Sequence, residues 1–144
     1  MITPKDLQLL NEIAVRLGVA YADLFSLINF ESGFDPQAKN PKSSARGLIQ
    51  FMDATAKSLG YNDSLDLVTK NPTIEMQLPI VEKYLQQFAP YSGKQSLYLA
   101  VFYPKYRNVD PLTQFPDTVK AVNPGINTPQ DYINFIERKK KLNI

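Results

Sequence analysis

Two four-residue segments near opposite ends of the chain, Thr3-Pro4-Lys5-Asp6 and Thr128-Pro129-Gln130-Asp131, write the same helix-opening signal. A threonine at the cap, a proline at the first helical position and an acid at the third satisfy or remove the orphan N–H groups of a first turn. After the first segment, Leu7, Leu10, Ile13, Ala14 and Leu17 recur at helical spacing and stop at Gly18. After the second, Tyr132, Ile133 and Ile136 form an inward stripe. Between them the pattern predicts a helix over residues 22–31 ended by Gly33, and a short one over 53–59 closed at Gly60. A further helix, opened by Asn71-Pro72, carries Ile74, Leu78, Val81, Leu85 and Phe88, with Pro79 expected to kink or split it. Residues 96–103 read as helix ended by Pro104; residues 34–47 and 104–127 read as loop or irregular chain. Strand alternation is poor throughout. The expectation is an all-α fold, with residues 1–144 forming a single domain.

With 144 residues such a domain can bury a real core without staples. The chain has no cysteine and no histidine, which excludes disulfides, thiol nucleophiles, Cys/His zinc sites and Ser-His-Asp triads. Chemistry must then run on carboxylates, hydroxyls, amides, lysines or arginines, and no metal or cofactor is expected. Net charge is +2, with much of the excess in Arg138-Lys139-Lys140-Lys141, read as a solvated helix end. Nucleic-acid binding would want a broader basic surface, so none is expected. No apolar run approaches the roughly 18 residues of a membrane span. The opening residues Met1-Ile2-Thr3-Pro4-Lys5-Asp6 carry no signal-peptide core, so delivery beyond the cytoplasm would need another route.

One carboxylate stands apart. Glu31 continues the spacing of Leu24, Leu27 and Ile28 and opens directly into a glycine-bearing loop. On that buried face its pKa should lie above the free value of about 4.3. A carboxylic acid still protonated near neutral pH can protonate the leaving oxygen of a glycosidic bond. A salt-bridge partner or a solvent-facing helix end would also place a Glu there.

The residues around it extend the pattern. Glu31-Ser32-Gly33-Phe34-Asp35-Pro36-Gln37-Ala38, followed by Ala45-Arg46-Gly47-Leu48-Ile49-Gln50-Phe51-Met52, resembles the soluble lytic transglycosylase (goose-type lysozyme-like) family, whose motifs are Glu-Ser and Gly-Leu-Met-Gln. The resemblance covers most of residues 20–104 and implies a lysozyme-like domain with a substrate groove. It implies Glu31 as the sole general acid/base, and Ser32 as a residue steadying its loop or an ordinary helix-end polar group. It further implies that Gly47, Leu48, Ile49, Gln50 and Phe51 line the sugar groove, Gln50 by hydrogen bonds, with Ile49 in place of Met. Ser43 or Ser44 would correspond to a family serine that orients substrate or the acid. The third motif departs from the family's Ala-Tyr-Asn-x-Gly: here it is Ala100-Val101-Phe102-Tyr103-Pro104. Tyr103 then stands either beside Glu31 or in the core. Tyr132 matches the fourth motif, a last-helix tyrosine whose hydroxyl reaches the acid.

The implied partner is the peptidoglycan glycan strand. Protonated Glu31 would donate to the bond between N-acetylmuramic acid and N-acetylglucosamine, then deprotonate the C6 hydroxyl that closes a 1,6-anhydro ring. A hydrolytic muramidase would need a second carboxylate holding water, about 6.5–9.5 Å from the acid in an inverting enzyme. Asp35 and Asp53 are the nearby candidates, Asp53 reading more naturally as a cap of the helix it opens. A non-catalytic glycan-binding module of a cell-wall-penetrating assembly is the reading from another class. Action at the cell wall implies export or delivery, by a phage particle, at lysis, or within a larger secreted assembly.

Overall fold

The repeated Thr-Pro-x-Asp segments cap helices at both ends of the molecule in the same way. The computed structural model describes the backbone of residues 2–142 and the side chains of residues 2–139. Thr3 Oγ1 accepts from the Asp6 amide at 3.1 Å, and Asp6 returns the bond to the Thr3 amide at 3.0 Å. Thr128 and Asp131 repeat the exchange at 3.2 Å in both directions. The helices they open are α1 (Pro4–Leu17) and α8 (Pro129–Leu142). Between them lie α2 (Tyr21–Ser32), α3 (Asp53–Ser58), α4 (Ser64–Lys70), α5 (Ile74–Gln86), α6 (Lys94–Phe102), a 3-10 turn (Pro104–Tyr106) and α7 (Asp117–Val122). Among the described residues there is no strand, only isolated bridges pairing Arg46 with Lys39 and with Phe51. The fold is all-α, as the sequence predicts.

The core is built around α2. Leu24, Leu27 and Ile28 are fully buried, and the stripe of α1 (Leu10, Ile13, Ala14, Leu17) packs with them. Each such leucine contributes about 1.5–3 kcal/mol by leaving water. The chain bends by 117° between α1 and α2. From there α1 packs on α5, α2 packs on α6 and α8, and α6 packs on α8. One contiguous apolar cluster runs from Leu10 to Ile136. Among the described residues, no single helix is long and apolar enough to cross a membrane.

Several expectations are corrected. Asn71-Pro72 does not open α5: Asn71 ends α4, and Thr73 caps α5 by accepting from the Met76 amide at 3.1 Å. Pro79 does not split that helix. It lies on the exposed side, as does Glu75 one turn back, so water can satisfy the freed carbonyl while Leu78, Val81 and Leu85 hold the buried side. Helices α4 and α7 appear where no helix was expected. In the basic run, Lys139 is drawn onto α2 instead of being solvated; the side chains of Lys140 and Lys141 lie outside the described residues.

Candidate active site

The last turn of α2 positions the site. Gly33 ends the helix in the left-handed region at φ 62°, its N–H donating to Asn29 O at 2.8 Å. Phe34 follows at φ 61°, a conformation that is rare for a bulky residue. Its ring is buried and packs on Phe25 at 4.8 Å, which offsets that backbone cost. Two successive left-handed residues turn the chain sharply away, leaving Glu31 and Ser32 at the rim of the core.

Glu31 is half-buried as a residue, and its carboxyl meets the fully buried Tyr132, whose hydroxyl donates to Oε1 at 2.5 Å. Loss of water raises the Glu31 pKa to about 7. The Tyr132 hydrogen bond and the nearby Lys139 charge oppose that rise without cancelling it. Burial in turn pushes the Tyr132 phenol well above its ordinary range, with the Glu31 charge adding to the effect. Tyr132 therefore stays a hydrogen-bond donor at any working pH. Its ring is stacked on Phe102 at 4.3 Å and meets the edge of Phe30 at 5.7 Å.

Ser32 ties α2 to the next segment: its hydroxyl donates to Leu48 O at 2.7 Å and to Ile28 O at 3.1 Å. The turn it holds, residues 47–51, is clamped from below by Gln77. That side chain is fully buried on α5, accepts from the Leu48 amide at 3.0 Å and donates to Pro36 O at 2.7 Å and Asn71 O at 2.9 Å. Gly47 packs directly on it. A Cβ there would stand 2.8 Å from Gln77 Oε1 and 3.2 Å from Val68 Cγ1, at a φ of 85°. The position therefore requires glycine for both space and backbone.

The expected groove-lining residues fall into different roles. Leu48, Ile49 and Phe51 are 0%, 2% and 2% exposed, so their side chains belong to the core. Gln50 sits at φ 58° with its amide NH2 donating to Ala38 O and Gly47 O, so those protons are committed to the turn. Ser43 Oγ accepts from the Ala45 amide. Ser44 Oγ accepts from the Asp53 amide at 3.0 Å, capping α3 from outside the helix. Tyr103 packs with Tyr106 and Phe115, and the phenol that reaches Glu31 is that of Tyr132. Asp53 does not cap α3. Its Oδ1 accepts from the Ser64 amide at the start of α4, a bond that holds its pKa below the usual carboxylate value. Asp35 accepts from the Gln37 amide at 2.8 Å. A cavity of about 350 Å³ is lined by Ala22, Phe25, Ser26, Asn29 and Phe30 of α2 together with Lys139 of α8, and Glu31 is not part of its lining.

A half-buried Glu-Ser at a helix end, tied to a Gly-Leu-Ile-Gln turn, coincides with a match of the transglycosylase SLT domain family over residues 8–102. The chain belongs to that family. No curated protein matches it. Membership assigns this SLT domain, at the family level, to transglycosylase-type action on cell-wall peptidoglycan. The matched span contains Glu31, Ser32, the 47–51 turn and Gln77, but ends before α8. Tyr132 and Lys139 thus reach the last turn of α2 from beyond the match. Gln77, Phe102 and Lys139 were not singled out by the sequence. Gln77 offered a polar residue beside Leu78 on an apolar stripe, and Lys139 stands seven residues, two helical turns, after Tyr132.

Proposed function

We propose that this SLT domain is a peptidoglycan lytic transglycosylase in which Glu31 acts alone as acid and then as base. The observation that carries the reading is a single carboxyl drawn out of water and held by one phenol at 2.5 Å, a setting that raises its pKa to about 7. Near that pH both protonation states are populated, which suits a group that must give a proton and take one back. The Tyr132 hydroxyl occupies Oε1, so the transferable proton belongs on Oε2.

In the first step, Oε2–H protonates the oxygen joining N-acetylmuramic acid to N-acetylglucosamine, and the C1–O bond breaks. The substrate's N-acetyl group can stabilise the oxocarbenium-like centre. The Glu31 carboxylate then takes the proton from the C6 hydroxyl of the same muramic residue, whose oxygen closes on C1. The product is a 1,6-anhydro ring, and no water is consumed. Hydrolysis would call for a second carboxylate to hold water. Asp53 and Asp35 each accept from a backbone amide, and the lowered pKa of Asp53 makes it a poor base.

The test is digestion of purified peptidoglycan followed by mass measurement of the muropeptides. Anhydro ends, lighter than reducing ends by one water, are the expected product, and Glu31→Gln should lower their release by about a thousandfold. Reducing ends alone would reject the transglycosylase reaction. Near-normal release by Glu31→Gln would reject Glu31.

A further inference from the structure

We infer that Lys139 is a positioning residue of this site, pinning the Tyr132 face of α8 onto the carboxyl end of α2 and setting its charge beside Glu31. The inference rests on the reading of Glu31 as acid/base.

Two helical turns, about 10.5 Å of rise, separate Tyr132 from Lys139 on one face of α8, with buried Ile136 between them. Both side chains converge on the last turn of α2. The Lys139 ammonium donates to Asn29 O at 3.1 Å and, more weakly, to Phe30 O at 3.4 Å. Asn29 O also accepts from the Gly33 amide, so the ammonium joins the bond that ends the helix. Carbonyls at a helix C-terminus carry partial negative charge, so a cation there is favourable. The ammonium lies 5.7 Å over the Phe30 ring, whose neighbour is Tyr132. The contacts therefore close a circuit: Lys139 to the Phe30 segment, Phe30 to Tyr132, and Tyr132 to Glu31. Tyr132 and Lys139, both from α8, are the titratable groups among the described residues that act on Glu31; α1 and α6, also packed on α2, contribute none.

The consequence has a definite sign. A cation near Glu31 favours its carboxylate, so removing the charge lets the Glu31 pKa rise further. The proton needed for the first step is then held to higher pH and returned less readily.

The test compares Lys139→Met and Lys139→Arg with the parent domain, by the pH dependence of anhydro-muropeptide release and by carbon-13 NMR titration of the Glu31 carboxyl, assigned with Glu31→Gln. Lys139→Met should move the alkaline limb of kcat and the Glu31 midpoint up together, by about half a pH unit. Lys139→Arg keeps a cation and donors and should restore both. A Met variant that loses stability or rate while the Glu31 midpoint stays in place would overturn the inference. The titration needs no turnover, so it stands whether or not the products are anhydro sugars. If Lys139→Met does not fold, Lys139→Gln carries the same comparison with a polar side chain.

Discussion

The two flanks of Glu31 hold it by different physics. On one side, Ser32, the 47–51 turn and Gln77 form a network of neutral hydrogen bonds around a glycine that no other residue can replace. That network fixes shape and carries no charge. On the other side, α8 reaches across with one phenol and one ammonium, the two groups that draw the Glu31 pKa back toward its ordinary value. Burial sets the raised proton affinity, and the groups that temper it come from a different part of the chain than the network that fixes shape. The family match covers the first flank and stops short of the second.

The largest effect should come from the neutral flank. Gln77→Ala removes three hydrogen bonds and opens a void beneath Gly47, so we expect a loss of about 3 kcal/mol, read from the shift of the urea midpoint. The alkaline limb of the variant's remaining activity should stay where it is. A shifted limb would show that the two flanks are not separable.

Next is a stability effect of Glu31 itself. Its folded pKa lies above the unfolded value near 4.5, so the folded state binds the proton more tightly. The stability this contributes is complete below pH 4.5 and is lost as pH rises through about 7. Glu31→Gln cannot ionise, so at pH 8 it should be the more stable protein by about 3 kcal/mol, with the advantage vanishing at pH 4. Urea midpoints at the two pH values check this; equal midpoints at pH 8 would contradict the raised pKa.

The smallest effect probes the charged flank. Tyr132→Phe removes a donor that favours the carboxylate, so the alkaline limb should move up, by about half a unit after the ring's packing on Phe102 is retained. A limb moving down would mean that the phenol favours the acid form instead.

What the sequence made legible is what local chemistry decides. The two capped helices, the α2 stripe, Glu31 on its buried side and the Tyr132 partner all follow from spacing and motif. The misses share a cause. Leu48, Ile49 and Phe51 sit in a loop, and their burial is set by what packs across from them, which spacing cannot report. Gln77 is read through partners 29 and 41 residues away. Lys139 lies in a basic run whose composition suggests solvent, while its partner is a pair of carbonyls more than a hundred residues earlier. Helix α7 has no buried residue to give it a stripe.

The most direct measurement is the titration of the Glu31 carboxyl in the intact domain, by carbon-13 NMR with Glu31→Gln for assignment. The account predicts a midpoint of about 7. A midpoint near 4.5 would mean that Glu31 is ionised at working pH and cannot be the acid.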